Sequence, residues 1–169
     1  NPSMSEAEYL KIVEYKTAGL IAAACRMGAI LADASDAQQD ALFRFGRHLG
    51  IAFQVADDTL DYTANGERLG KTLGQDLRQG KATLPMLHLL HHCSEQDRQI
   101  IVDRMETRTL SEEDLGRFIR LMEELGSITY AMDCARSYVA AAQRDLNQFE
   151  DNTAKRALSV TADYMVTRD

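Results

Sequence analysis

Three aspartates close a long apolar run near the middle of the chain, in the segment FQVADDTLDY. On a helix, residues three and four apart share a side, so Asp57, Asp58 and Asp61 gather there with Gln54. Like charges at these spacings repel each other by about 0.2–0.5 kcal/mol per pair. A divalent cation among them would remove this repulsion, and Mg²⁺ prefers carboxylate oxygens combined with substrate phosphates. A solvated acidic helix end is the alternative, and the acids alone do not separate the two readings.

Two lysines follow the acids, each directly after a glycine, in the segment LGKTLGQDLRQGKATLP. The glycine-rich loop that carries Lys71 and Lys81 could fold over a ligand, and ammonium groups are good partners for phosphate oxygens. Acids that hold a metal and lysines on the opposite side would grip one polyanion between them. The repeated Gly-Lys pair by itself could be coincidental.

Two further pairs of residues could carry chemistry. Lys16 and Thr17 precede the apolar run AGLIAAA. Lys16 is either a surface lysine whose stem lies along apolar groups or a third cation for phosphate, with the Thr17 hydroxyl alongside.

His88 and His92 lie one helical turn apart, a spacing that can bind zinc. No third ligand accompanies them in a known pattern, which favours an ordinary helix end where positive charge suits the dipole.

Apolar residues recur at spacings of three and four along nearly the whole chain, which predicts an all-α helical bundle without strands. The predicted helices cover about residues 5–31, 37–62, 83–92, 94–107, 111–125, 127–149 and 153–167, and residues 64–80 are predicted to form a loop. The chain has 169 residues, of which 45% are apolar, and this suits one domain with a substantial core.

Composition excludes several classes of function. The net charge of −7 and the absence of a basic stripe argue against nucleic-acid binding. No uncharged apolar stretch is long enough to predict a membrane span. Three widely separated cysteines predict reduced thiols and a cytoplasmic protein.

The segments EYKTAGL, GIAFQVADDTLDY and LGKTLGQDLRQGKATLP together resemble the second half of a trans-isoprenyl (polyprenyl) diphosphate synthase. That family's pattern is KT, then FQ-x-x-DD-x-x-D, then GK-x-x-G-x-D-L-x-x-GK-x-T-L-P, and all of it occurs here in order. The resemblance covers residues 1–169 and implies half of an all-α isoprenoid synthase fold. It further implies the condensation of an allylic prenyl diphosphate with isopentenyl diphosphate, with Mg²⁺ as the cofactor.

The resemblance also implies the role of each acid. Asp57 and Asp61 would hold Mg²⁺. Asp58 would belong to the same cluster, either bridging metal ions or bonded to groups around them.

The resemblance assigns the remaining site residues to the substrate. Lys16 and Lys71 would contact the allylic diphosphate, and Lys81 would support the loop or the phosphate. Thr17 and Gln54 would lie near the reacting allylic carbon, where their oxygens stabilise positive charge.

One departure from the family pattern limits these expectations. The family uses two aspartate-rich motifs on facing helices, and this sequence has one DDxxD. The chain is therefore expected to be a C-terminal half, inactive alone, and part of a homodimeric synthase. Without its other wall, apolar residues such as Phe53 or Ile21 are expected to be exposed. The alternatives are a non-catalytic regulatory subunit of a heteromeric synthase and a terpene cyclase-like enzyme of the same fold.

Overall fold

A computed structural model describes residues 2–63 and 73–167, and regular structure within those residues is helical, with no strand. The helices are α1 (Glu6–Val13), α2 (Gly19–Leu31), α3 (Asp36–Thr63), α4 (Gln75–Arg78), α5 (Leu84–His92), α6 (Glu95–Thr107), α7 (Glu112–Glu124), α8 (Ser127–Asp145) and α9 (Thr153–Thr167). The all-α prediction is confirmed, and most helix ends lie close to the predicted positions.

Helix starts follow the capping residues that the sequence contains. The Ser94 hydroxyl accepts the backbone N–H of Asp97 at 3.1 Å and starts α6. Ser111 and Asp114 form a reciprocal capping box at the start of α7. Such caps satisfy backbone donors that the first helical turn leaves without partners.

The predicted first helix is not continuous. A π-helical segment, Glu14–Ala18, separates α1 from α2 and contains the Lys16-Thr17 pair. Glu14 at its start receives two hydrogen bonds from the Arg47 guanidinium, at 2.6 and 2.8 Å. π-Helical turns are rare and occur frequently at functional sites, so this turn marks the Lys16-Thr17 pair as a candidate.

The predicted loop 64–80 also differs from the structure in the part that is described. Residues 75–78 form the short helix α4, which lies between two glycines with positive φ, Gly74 at +68° and Gly80 at +71°. Glycine occupies such conformations without the steric cost that a Cβ imposes. These two glycines therefore set where α4 begins and how the chain leaves it.

The described residues divide into two compact units, and the first comprises residues 2–9, 57–63 and 73–132. Its interior is made mainly by α5, α6 and α7, and α5 packs against α7. The largest fully buried side chains of this unit are Leu77, Leu84, Met86, Leu89, Ile101, Phe118 and Met122, together with the smaller Thr59 and Pro85.

The second unit comprises residues 10–56 and 133–167. Its core is a cluster of buried side chains from α3, α8 and α9 and the turn after α8: Phe45, Leu49, Ala52, Val139, Ala142, Leu146 and Ala162. No helix in the described part of the chain is long and apolar enough to cross a membrane. The assignment of residues 1–169 to one portion of a larger domain stays a prediction.

The prediction that Phe53 and Ile21 are exposed is wrong. Both side chains are half-buried, and Ile21 packs against the core cluster of the second unit. The apolar exposure lies one residue away, at Leu20, whose side chain is 77% exposed. A helix turns 100° per residue, so Leu20 and Ile21 lie on different sides of α2.

Candidate functional site

The three aspartates at the end of α3 lie in different environments. Asp58 is 8% exposed, and its carboxylate accepts a hydrogen bond from the Tyr9 hydroxyl at 2.7 Å. Asp57 and Asp61 are half-buried, so water or a ligand can reach them. A buried carboxylate needs hydrogen bonds, and Tyr9 supplies one to Asp58. Asp57 and Asp61 are the two partly exposed acids of the three.

Asp61 holds the start of α4 through three hydrogen bonds. Its two carboxylate oxygens accept the backbone N–H groups of Gln75, at 3.2 Å, and Asp76, at 2.9 Å. Its backbone carbonyl accepts the N–H of Gly74 at 2.9 Å. Asp61 therefore caps α4 and holds the start of this helix beside the end of α3.

Lys81 joins the acid group through Asp76. Its ammonium group lies 2.8 Å from an Asp76 carboxylate oxygen, and its backbone N–H donates to the Asp76 carbonyl at 2.9 Å. The hydrogen bond to Asp76 raises the pKa of Lys81, and the charges of Asp58 and Asp61 act in the same direction. Lys81 therefore lies close enough to these acids for their negative charges to stabilise its ammonium group. Sequence reasoning missed Asp76, although it is the aspartate of the quoted GQDL pattern.

Tyr62 is a second residue that sequence reasoning missed. Its phenol is buried, and its hydroxyl lies 2.8 Å from the Thr83 hydroxyl oxygen. Burial raises the pKa of the Tyr62 phenol far above its usual range, so the phenol is neutral. This hydrogen bond fastens the end of α3 to the residue that precedes α5. An aromatic hydroxyl in a core usually has such a partner.

Thr17 and Gln54 meet within the second unit. The Thr17 hydroxyl donates to the Gln54 side-chain oxygen at 2.8 Å, and Gln54 is 8% exposed. The neighbouring Lys16 is exposed. The structure therefore pairs two of the predicted site residues, which are 37 positions apart in the sequence.

The π-helical segment that carries Thr17 lies very close to α3, and a glycine of α3 allows this. A Cβ at Gly50 would lie 2.5 Å from the Ala18 Cα and 2.9 Å from the Ala18 Cβ. Ala18 is fully buried and ends the π-helical segment. The absent side chain of Gly50 therefore lets the segment that carries Thr17 reach α3.

Two predictions about ligands are not decided by these contacts. Lys71 lies outside the described residues. Among residues 2–63 and 73–167, no three or more His, Cys, Asp or Glu side chains are gathered as a ready-made metal site. Protein side chains alone therefore do not form a cage for a cation in this part of the chain.

The histidines at the end of α5 form a stacked aromatic group. The His88 ring lies between His92 and Tyr130, with ring centroids 4.0 and 4.4 Å away. The His88 Nδ1 lies 3.0 Å from the Ser127 hydroxyl oxygen, and the Tyr130 hydroxyl donates to Glu6 at 2.7 Å. Burial, with a smaller effect from His92, lowers the pKa of His88 from its usual 6.5.

This lowered pKa predicts that acid destabilises the fold through His88. The unfolded imidazole binds a proton more readily than the folded one, so stability falls as the pH drops below about 6.5. We expect His88→Gln to reduce the fall in Tm between pH 7.5 and pH 5.5, measured by circular dichroism. His91→Gln, at an exposed position of the same helix end, should reduce the fall less than His88→Gln, because the charge of His91 lowers the pKa of His88 less than burial does. Equal falls in wild type and His88→Gln would contradict this assignment.

The Tyr9–Asp58 hydrogen bond also predicts a stability effect. Tyr9→Phe leaves the buried Asp58 carboxylate without that donor, and we expect the free energy of unfolding to drop by about 1–3 kcal/mol. Urea denaturation measures the change. Tyr130→Phe is the matched control, since it removes a hydroxyl bonded to Glu6 at an exposed position and should cost less than about 0.5 kcal/mol. Equal losses in the two variants would show that Tyr9 does not support Asp58.

Comparison with known proteins gives consistent matches. The polyprenyl synthetase family model matches residues 1–122. The chain is 37% identical to octaprenyl diphosphate synthase of Haemophilus influenzae over 169 residues, which are all of this chain and 51% of that protein. It is 39% identical to geranylgeranyl diphosphate synthase of Methanosarcina mazei over 166 residues, 98% of this chain and 49% of that protein.

Solved structures agree with the sequence matches. A crystal structure of polyprenyl synthase from Caulobacter crescentus, complexed with calcium and isoprenyl diphosphate, superposes with a TM-score of 0.94 at 38% identity. The match covers 99% of this chain and 51% of that one. The chain thus spans about half the length of the relatives it matches.

Proposed function

Because the chain belongs to the polyprenyl synthetase family, we propose that it forms the C-terminal half of a trans-prenyl diphosphate synthase. The proposed reaction condenses an allylic prenyl diphosphate with isopentenyl diphosphate. The observation that carries the proposal is the contact of Asp61 with the Asp76–Lys81 pair, at the end of the helix that also carries Asp57 and Asp58. Acids beside a lysine suit a diphosphate that arrives with a divalent cation, because each sign of charge meets its opposite.

Mg²⁺ is the proposed cofactor, and the donor set fits it. Asp57 and Asp61 are half-buried carboxylates with hard oxygen donors. Mg²⁺ usually keeps several waters and takes one or two carboxylates plus substrate phosphates. The relative from Caulobacter crescentus holds calcium and isoprenyl diphosphate, a comparable pairing of divalent cation and diphosphate. When bound, Mg²⁺ would neutralise charge that develops on the leaving diphosphate.

The chain's own residues have separate proposed tasks in the ionisation step. Lys16 and Lys71 bind the allylic diphosphate, and Lys81, held by Asp76, positions the loop or touches the phosphate. As the bond from the allylic carbon to the diphosphate breaks, the electron pair leaves with the diphosphate. The cation that remains on the carbon chain is stabilised by oxygens of Thr17 and Gln54. Groups fixed before the reaction do this without reorganising.

The second step forms the new carbon–carbon bond. The double bond of isopentenyl diphosphate attacks the allylic cation, and loss of a proton restores neutrality to the extended chain.

The proposed synthase is a homodimer, which light scattering on the assembled enzyme tests. The 169-residue chain alone is expected to fold without transferring prenyl groups, because its sequence has one of the family's two aspartate-rich motifs.

A chimera tests the proposed function. Residues 1–169 would replace the matching half of the Haemophilus influenzae octaprenyl diphosphate synthase. The chimera is incubated with farnesyl diphosphate, labelled isopentenyl diphosphate and Mg²⁺, and the products are separated by chain length. We expect elongated products from the chimera and none from the 169-residue chain. A folded chimera that is inactive contradicts a catalytic role and favours a regulatory subunit, whereas elongation by the isolated chain contradicts its assignment as an incomplete site.

A further inference from the structure

The short helix α4 is held by contacts with other parts of the first unit. It has four residues, whereas isolated helices shorter than about 12–15 residues are only marginally stable in water. The Asp61 carboxylate accepts the first two backbone N–H groups of α4. At the other end of α4, Leu77 is buried and the Arg78 guanidinium lies 2.7 Å from a carboxylate oxygen of Glu112. The position of α4 therefore depends on these contacts and not on its own helical hydrogen bonds.

The position of Lys81 follows from that of α4. Asp76 of α4 binds Lys81 twice, through its carboxylate, 2.8 Å from the ammonium nitrogen, and through its backbone carbonyl, 2.9 Å from the Lys81 backbone nitrogen. The Lys81 side chain is 53% exposed, and an ammonium group has three N–H donors. Lys81 can therefore bind Asp76 and a phosphate oxygen at the same time. A chain of contacts thus leads from Asp61 through Asp76 to Lys81.

The hydrogen bonds of the Asp61 carboxylate oppose a metal ion at the same atoms. Each of its two oxygens accepts one backbone N–H, from Gln75 and from Asp76. Both N–H groups direct their partial positive charge at the carboxylate, as at the start of any helix. A cation on these oxygens would meet that charge and would compete with the N–H groups for the lone pairs. Mg²⁺ usually takes only one or two carboxylates beside substrate phosphates, and Asp57, one helical turn earlier, is a partly exposed carboxylate of the same motif.

We propose that Asp61 is a positioning residue of the diphosphate site and not a ligand of the metal. Its carboxylate fixes the start of α4, α4 carries Asp76, and Asp76 holds the Lys81 ammonium group for the diphosphate. Asp57 is then the acid of the motif that meets the cation. The inference rests on the proposed function for the identity of the ligand. The role of Asp61 itself rests on the hydrogen bonds of this chain.

Amide hydrogen exchange in the 169-residue chain, without metal, tests whether Asp61 holds α4. We expect Asp61→Ala to speed exchange of the backbone amides of residues 75 and 76 at least about tenfold, because both lose their acceptor. Asp57→Ala should leave these two amides unchanged. Ser94→Ala is the matched control for the loss of a cap, since it removes the acceptor of a backbone N–H at the start of α6, and it should also leave them unchanged.

A double-mutant cycle tests whether Asp61 acts through Lys81. Isothermal titration calorimetry measures the Kd of the chimera for inorganic diphosphate at a saturating Mg²⁺ concentration. Asp61→Ala and Lys81→Ala should each weaken binding about tenfold, the usual size for one hydrogen bond to a charged group. Combining them should weaken binding by less than about twofold beyond Lys81→Ala alone, because residues that act through one another are not additive. Asp57→Ala with Lys81→Ala is the control pair, and the two losses should multiply.

Three results would overturn the proposal. These are unchanged exchange of residues 75 and 76 in Asp61→Ala, unchanged diphosphate affinity in the same variant, and a double variant whose loss is the product of the two single losses, as expected of a metal ligand. Circular dichroism checks folding, and Asp61→Asn, which keeps one acceptor oxygen and should speed exchange of one of the two amides, replaces a variant that does not fold. A folded wild-type chimera that does not bind diphosphate contradicts the proposed function and the role at the diphosphate site. Faster exchange in Asp61→Ala would then still show that Asp61 holds α4.

Discussion

Asp57→Ala in the chimeric synthase is expected to lower turnover at least about a hundredfold. Asp57 begins the acid cluster and is half-buried near the end of α3, where a cation that accompanies the diphosphate can reach it. Removing one group that stabilises developing charge typically costs a factor of about 100–1,000 in kcat. Steady-state kinetics with farnesyl diphosphate and isopentenyl diphosphate, repeated over a range of Mg²⁺ concentrations, measures the loss. The Mg²⁺ concentration for half-maximal rate should rise in the variant.

Asp133→Ala is the matched control for Asp57→Ala. Asp133 is an exposed aspartate of α8 whose carboxylate pairs with Arg136 one turn away, so its removal deletes the same charge at a residue with no proposed role. It should leave turnover within about twofold, in keeping with surface substitutions that change little. A loss below about threefold in Asp57→Ala, against the hundredfold expected, would remove Asp57 from the metal site.

Gly50→Ala is expected to destabilise the chain by about 1–3 kcal/mol, the usual cost of overpacking a core. The added methyl group would lie 2.5 Å from the backbone of Ala18, so α3 and the π-helical segment must separate. In a protein of this size, this corresponds to a Tm about 2–12 °C lower. The same separation should weaken the hydrogen bond from Thr17 to Gln54. Thermal unfolding of the 169-residue chain, followed by circular dichroism, measures the effect.

Gly28→Ala makes the same substitution where the structure predicts the opposite sign. Gly28 lies within α2, and a Cβ there meets nothing within 4 Å. Alanine is favoured over glycine in a helix by about 0.8–1.0 kcal/mol, so this variant should be more stable than wild type. If both variants shift Tm in the same direction, the close approach at Gly50 is not what limits the packing of the π-helical segment.

Local features of the structure could be predicted from the sequence. The helices follow from apolar spacing at three and four residues, and Ser94 and Ser111 start α6 and α7 as capping residues. Asp57, Asp58 and Asp61 lie together because the positions of neighbouring residues on a helix depend only on its pitch. The family was also evident in the sequence, because its motifs combine residue types at short fixed spacings.

Only the tertiary structure shows which residues that are distant in the sequence contact one another. Tyr9 reaches Asp58 across 49 positions, and Thr17 reaches Gln54 across 37. Periodicity carries no information about which distant side chains meet, since that depends on how helices pack. The π-helical segment illustrates the reason: its place against α3 depends on a missing side chain at Gly50. The sequence of α2 likewise shows a helix apolar on all sides, but only the packed structure shows which side is left open.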